Sequence, residues 1–213
     1  MERVLFPMKK KTMMQQSWEK TQRWKNTPKR FRQNKQKEMY KNMNFNIRRA
    51  RPGDVPKIME IMKEAKEDQS HPQWFVADEE PYVREHLDTK GFVVVAETEE
   101  KELAGFFLIK YPDDQDHLGD FLHFSREKKE KTVIMDSAVV ARKFRGNGLQ
   151  GKMLEGAEAF LDPQKYPYRM CTVHPQNQYS LQNMRKHGYE VMDTVTCYGG
   201  LPRHILLKEE LSL

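Results

Sequence analysis

Residues 141–153 read Ala141-Arg142-Lys143-Phe144-Arg145-Gly146-Asn147-Gly148-Leu149-Gln150-Gly151-Lys152-Met153. The stretch leaves an apolar run, Thr132 to Val140, and enters a segment where Leu149, Met153, Leu154, Ala157, Phe160 and Leu161 recur at helical spacing. Strand, loop and helix are predicted in that order. Gly146, Gly148 and Gly151 remove Cβ atoms where an anion must approach the backbone. The amides at the start of the following helix have no intrahelical acceptor, and the helix dipole favours negative charge there. Arg145 and Lys152 add positive charge. The direct physical reading is a site for a phosphate or pyrophosphate.

Two other phosphate loops fit less well. Gly146-x-x-x-x-Gly151-Lys152 approaches the loop of nucleotide triphosphatases, but that loop needs Ser or Thr next, to hold Mg²⁺, and Met153 cannot do so. Ala141 to Phe144 also separate the strand from Arg145, and dinucleotide loops space their glycines differently. The better match is Arg-x-x-Gly-x-(Gly/Ala), from Arg145 to Gln150, with Gln150 in place of the final small residue.

Outward from the loop, the chain alternates. Upstream, a short strand (Asn46 to Ala50) precedes a helix beginning near Asp54, a good N-cap residue, with Val55, Ile58, Met59, Met62 and Ala65 on one face. A short helix is expected from Pro81 to Leu87. Strands Phe92–Glu97 and Leu103–Lys110, joined by a charged turn, read as an antiparallel hairpin. Residues 111–131 read as an irregular insertion or a poor helix. Downstream come a strand Tyr168–Val173, a helix from Pro175 to His187 closed by Gly188, a strand from Tyr189 to about Cys197, and a last strand His204–Lys208. The strand–helix–strand order of the second half implies a parallel pair at its centre.

A second segment reads Val173-His174-Pro175-Gln176-Asn177-Gln178-Tyr179-Ser180, then Lys186-His187-Gly188-Tyr189. With the Arg145–Gln150 loop about thirty residues upstream, the chain resembles the GNAT superfamily of acetyl-CoA-dependent N-acetyltransferases over residues 46–213. Asp136-Ser137 and the ending Tyr198-Gly199-Gly200-Leu201-Pro202-Arg203-His204 look like a bacterial subgroup of it. The resemblance implies an α/β (α+β) fold, with a mixed, mostly antiparallel sheet of six to seven strands, a central splayed parallel pair and flanking helices.

It also implies a chemistry: transfer of an acetyl group from acetyl-CoA, as co-substrate, to a primary amine of a small molecule or peptide by direct attack on the thioester. Arg145, Gly146, Asn147, Gly148, Leu149, Gln150 and Gly151 would cradle the pyrophosphate. Unpaired amides near Ala138, Val139 and Val140 would hold the pantetheine and polarise the thioester carbonyl. Asn177 and Ser180 would lie near the cofactor. No metal is implied. The amine must be neutral to attack, so a base is needed. Asp136 is the first candidate, because Asp136-Ser137 interrupts an otherwise apolar strand and burial would raise a carboxyl pKa there. A structural Asp bonded to a neighbouring loop is the competing reading. His174, at the end of a predicted parallel strand, is the second candidate, against a helix-entry residue pointing to solvent. Many relatives carry a Tyr four residues before the closing glycine; here that position is Met184, which cannot donate a proton. Tyr179 or Tyr198 would have to substitute, or water would suffice. Trp74 and Phe75 either wall the acceptor pocket or pack in the core. A catalytically weak acyl-CoA-binding module is the alternative that Met184 allows.

Charge divides the chain. Residues 1–45 hold 13 Lys and Arg against three Glu, a net of +10, while the rest hold 24 basic against 28 acidic residues, a net of −4. The 1–45 leader is too poor in apolar residues to offset the entropy of ordering it and is read as disordered. A solvated tail is the plainest role. Nucleic-acid contact through its basic and aromatic residues is a lesser alternative, and contact with an anionic membrane or transit to an organelle are others. Met43 opens the domain-like segment, so translation could start there and leave 1–42 outside the native chain. No apolar run approaches the ~18 residues of a membrane span, and two cysteines exclude a multi-disulfide scaffold and a Cys-rich metal site. With no secretory signal visible, a reducing cytoplasm is the expected compartment. Oligomeric state and the acceptor amine are not readable from the chain.

Overall fold

The computed structural model describes residues 12–14, 40, 43–67, 70–113 and 117–210. The chain divides into two units at Lys41/Asn42, and the architecture below is that of the second. The basic leader lies outside the described residues except at 12–14, 40 and 43–45.

The elements in chain order are β1 (Asn46–Arg49), α1 (Val55–Lys66), α2 (Glu80–Glu85), β2 (Gly91–Glu97), β3 (Leu103–Lys110), α3 (Arg126–Glu130), β4 (Thr132–Val140), α4 (Leu149–Ala159), β5 (Tyr168–Val173), α5 (Gln178–Lys186), β6 (Glu190–Cys197) and β7 (Leu201–Glu209), with short 3-10 turns at Pro52–Asp54, Leu118–Asp120 and Arg142–Phe144. The seven strands form one sheet in the order β1-β2-β3-β4-β5-β7-β6. Only β4 and β5 are parallel, and every other neighbouring pair is antiparallel. The fold is thus the mixed α/β sheet with a central parallel pair that the element order implied.

Helices cover both faces of the sheet, which is why β2 and β3 are buried almost end to end and read as unbroken apolar runs. Neighbouring residues of β1 mark the two faces. Ile47 packs under Gly156 of α4, while Arg48 reaches Asp54 at the start of α1. The α4 contact is close: a Cβ at Gly156 would lie 2.5 Å from Ile47 Cγ2, a branched carbon with little room to yield. Alanine is better than glycine in a helix interior by ~1 kcal/mol, but overpacking costs roughly 1–3 kcal/mol. Gly156→Ala is therefore expected to lower stability by about 1 kcal/mol. A denaturant titration checks this, and a rise in stability would mean that α4 can back away from β1.

Several expectations change at element ends. Asp54 occupies the N-cap position of α1 but makes no capping bond. Its carboxylate instead receives two bonds from Arg48 and one from the Arg51 amide, and Arg48 holds it below the usual carboxylate range. Helix α5 starts at Gln178 and not at Pro175, because Asn177 is its N-cap, its Oδ1 accepting from the Ser180 amide at 3.2 Å. The last strand begins at Leu201, three residues earlier than hydropathy alone indicated. The described part of the 111–131 insertion holds a 3-10 turn and the five-residue α3, capped by Ser125. Arg169, a charge in the buried strand β5, is matched by Glu158 and Glu210, which is how the strand tolerates it. Among the described residues, no helix is long and apolar enough to cross a membrane.

Candidate active site

The parallel pair comes apart soon after it forms. β4 and β5 are paired only at Thr132↔Tyr168, Val133↔Arg169 and Ile134↔Met170, although β4 runs on to Val140 and β5 to Val173. Beyond that point each strand keeps its outer neighbour: β4 stays on β3 through Val140↔Gly105, and β5 stays on β7 through Val173↔His204. A wedge therefore opens between them, and the inner edge of β4 at Ala138, Val139 and Val140 faces no strand. Ala138 and Val140 are half-buried there, and Val139 is buried.

A bulge lies at the mouth of the wedge. The register passes from Phe107↔Ala138 to Ile109↔Met135, so that Asp136 and Ser137 together oppose Leu108. This accounts for the polar interruption in an apolar strand, because the extra residue re-aims its side chains. Asp136 Oδ2 accepts from the Tyr82 hydroxyl of α2 at 2.7 Å, and Ser137 Oγ donates to Asp78 Oδ2 at 2.8 Å. Two carboxyls are thus held near each other by separate donors. Desolvation, and then the charge of Asp78, push the Asp136 pKa up to about 6. Desolvation also raises Asp78. Asp136 retains some accessible surface, as a carboxyl lining a narrow opening would. Asp136 is thus hydrogen-bonded to a neighbouring helix and its pKa is raised by burial.

The glycine loop leaves the same strand. Phe144 is fully buried, with Phe45 edge-on at 5.8 Å, and anchors the turn. Asn147 Nδ2 donates to Phe144 O and Arg145 Nε to Val140 O, so both side chains brace the loop. Gly146 (φ +91°) and Gly148 (φ +68°) have left-handed backbones, and a Cβ on either would meet nothing within 4 Å. Conformation requires these glycines, and the space before them is open. Gly148 is the N-cap of α4 and, among the described residues, no side chain caps the helix, which leaves its first-turn amides without a side-chain acceptor. A pyrophosphate fits such a cradle. At Gly151 a Cβ would come within 3.0 Å of Asn183 on α5 and of His187 just beyond it, so its small size lets the two helices approach. Gln150, the departure from the small-residue pattern, donates to Ser180 Oγ at 3.0 Å and links the start of α4 to that of α5. Lys152 lies over the Phe45 ring at 5.7 Å.

His174 is 3% exposed and does not point to solvent. Its Nδ1 accepts from the Gln176 amide, which places the proton of the neutral ring on Nε2. Burial lowers its pKa, helped by Arg203, His204 and His71. Trp74 stacks on His71 at 3.6 Å between ring centroids and stands 6.3 Å from His174, so it lies beside the site and outside the central core. Tyr179 is 83% exposed, whereas Met184 is buried in the core beneath α5. Tyr82, Asp78 and Arg203 were missed in the sequence. Their neighbours give no local signal, since α2 and the 70–78 segment meet β4 only through long-range packing.

The sequence model of the acetyltransferase (GNAT) family matches residues 55–189, a span that holds both the wedge and the glycine loop. The chain belongs to the GNAT acetyltransferase family. Acetyl-CoA is the co-substrate of that family, and the matched span holds both the uncapped α4 N-terminus and the unpaired end of β4. Among solved structures, the fold is similar to yncA from Salmonella typhimurium, solved with its cofactor acetyl-CoA (18% identity, 80% of this chain and 96% of that one, TM-score 0.60). It is also similar to the ribosomal-protein-alanine N-acetyltransferase of Brucella melitensis (18%, 77% and 99%, 0.60). A third similar structure is Chaetomium thermophilum Naa20 in complex with a bisubstrate analogue (17%, 77% and 86%, 0.58). At these identities the likeness is one of fold. A comparison with curated protein sequences gave no match.

Proposed function

We propose that this GNAT protein transfers the acetyl group of acetyl-CoA to a primary amine of a small molecule or peptide by direct attack. The observation that carries the proposal is a titratable carboxylate, Asp136, at the mouth of a wedge whose other end opens onto an uncapped helix N-terminus. Acetyl-CoA supplies an activated acyl group on a good leaving group. The amides from Arg145 to Gly151 bind its pyrophosphate. The open β4 edge at Ala138, Val139 and Val140 holds the pantetheine and the thioester oxygen. Asn177 and Ser180 flank that arm, Ser180 through its bond with Gln150. Asp136 takes a proton from the incoming ammonium, directly or through water. The amine nitrogen then forms the C–N bond as the C–S bond breaks, one proton leaving the nitrogen and one reaching sulfur.

His174 is neutral with Nδ1 engaged, so it acts here as an Nε2–H donor toward the acceptor and not as the base. Exposed Tyr179 is a poor substitute for the hydroxyl missing at Met184. Tyr82 and Tyr198 are better placed, one bonded to Asp136 and the other to Thr172. Burial raises the Cys171 and Cys197 thiols, which disfavours a covalent acetyl-cysteine route. Cys197→Ser is therefore expected to keep full activity, and Cys171 to react with iodoacetamide only on unfolding; loss of turnover in Cys197→Ser would reopen the covalent route.

A thiol-release assay with acetyl-CoA over polyamines, amino acids, aminoglycosides and peptide N-termini tests the function. Saturable release with at least one amine is expected. Silence across the panel, with acetyl-CoA still raising Tm, would reduce the protein to an acyl-CoA-binding module.

A further inference from the structure

Arg203 lies on β7, next to the end of β5, and is 3% exposed. Two of its N–H groups donate to backbone carbonyls, of Pro202 at 2.8 Å and Gln73 at 3.0 Å, and its guanidinium stands 5.5 Å from the Tyr198 ring. Among the described residues no carboxylate pairs with it. A guanidinium taken out of water without a counter-charge is costly, and proteins rarely keep one without a use. Burial lowers its pKa and only Tyr198 and Cys197 oppose that, so no acid compensates it.

The groups around it are of the same character. His174 Nε2 and Trp74 Nε1 are buried N–H donors with no acceptor among the described residues. Both adjoin Arg203. His174 feels its charge, and Trp74 follows Gln73, the residue to which Arg203 donates. His204 and His71 are the other titratable neighbours of His174, and both add positive charge when protonated. Asp136 and Arg203 both act electrostatically on Tyr198, whose ring Arg203 faces. A cation and two orphaned donors thus lie around the end of β5, short of an acceptor, with Tyr198 within electrostatic reach of both Arg203 and the proposed base.

We infer that the acceptor amine carries an oxyanion, a carboxylate or its phosphonate or phosphinate equivalent, and that Arg203, with the N–H groups of His174 and Trp74, receives it. The inference rests on the acetyl-transfer reading and narrows it to amino-acid-sized substrates, in which amine and anion are close enough to reach Asp136 and Arg203 together. A protein N-terminus, which offers no anion beside its amine, fits less well.

The test uses the full chain with CoA, which cannot donate an acetyl group, so binding is read apart from turnover. L-amino acids, their 1-aminophosphonic analogues and their C-terminal amides are compared by thermal shift and calorimetry. The acids, the phosphonates or both are expected to bind at least tenfold more tightly than the matched amides, and which of them binds identifies the anion. Arg203→Gln is expected to abolish that preference while leaving the affinity for CoA unchanged. If Arg203→Gln does not fold, Trp74→Phe, which removes the indole N–H and keeps an aromatic ring, is expected to weaken the acids severalfold and spare the amides. Amides that bind as well as the acids and phosphonates, failure of the acids and the phosphonates alike to bind, or a preference that survives in both variants would overturn the inference. Failure of the broader reading looks different: acid-selective binding would persist, but acetyl-CoA would release no thiol.

Discussion

Asp136→Asn is expected to lose about two to three orders of magnitude in kcat/KM at pH 8, the scale of a lost general base, and to melt at a higher temperature than the native protein. The two effects share one cause. Burial and Asp78 raise the Asp136 pKa from its ordinary 3.8 to about 6, so the folded state binds that proton more tightly than the unfolded chain does. The linked stability is fully present below about pH 4, is lost as pH rises through 6, and is absent at pH 8, where the buried carboxylate is a net cost. At ~1.4 kcal/mol per pKa unit the cost is about 3 kcal/mol at most. Asparagine keeps an oxygen for the Tyr82 hydroxyl and removes the charge. The gain in Tm should therefore be several degrees at pH 8, at ~2–4 °C per kcal/mol for a chain of this size, and should fade toward pH 4. The native pH–rate profile should show an ascending limb near pH 6 that the variant lacks. Melting curves and steady-state rates over pH 4–9 check both halves. A variant that stays active, or that melts lower at pH 8, would assign Asp136 a structural role.

Gln150→Glu is expected to separate apo stability from cofactor binding in the opposite way. Gln150 stands in the uncapped first turn of α4 and donates to Ser180 Oγ. Glutamate has the same shape and can accept from that hydroxyl, so the link between the helices survives. Its charge suits the positive end of the helix and stabilises the apo protein by roughly 0.3–1 kcal/mol. The same charge repels the pyrophosphate, and acetyl-CoA affinity is expected to fall about 10- to 100-fold, a penalty of ~1.4 kcal/mol per factor of ten. Added salt should shrink the loss, because the site opens to solvent. Calorimetry with acetyl-CoA at two ionic strengths, beside an apo melting curve, measures it. Undiminished affinity would place the pyrophosphate elsewhere.

Residues 141–153 were informative because a phosphate loop is local: strand, left-handed glycines and uncapped helix follow one another along the chain, so composition and order suffice to find them. The same locality explains why the helix–helix contact at Gly151 is not legible in the sequence. Its missing Cβ answers to Asn183 and His187, more than thirty residues away. Asn177 was noticed for its neighbourhood, yet its side chain is a helix cap, which moved the start of α5 from Pro175 to Gln178. Asp136 could be suspected because a carboxylate inside an apolar strand violates the pattern of a strand buried on both faces.

From the sequence alone came the element order, the parallel centre, the glycine loop and one suspect carboxylate, all features written in neighbouring residues. Tertiary structure alone decided the rest. It parted β4 from β5 after Ile134 and Met170, set Tyr82 and Asp78 around the bulge, turned Met184 into the core and left Arg203 without a counter-charge among the described residues. The reason is physical: pKa values and orphaned donors depend on which distant groups share a low-dielectric volume, and chain order does not encode that directly.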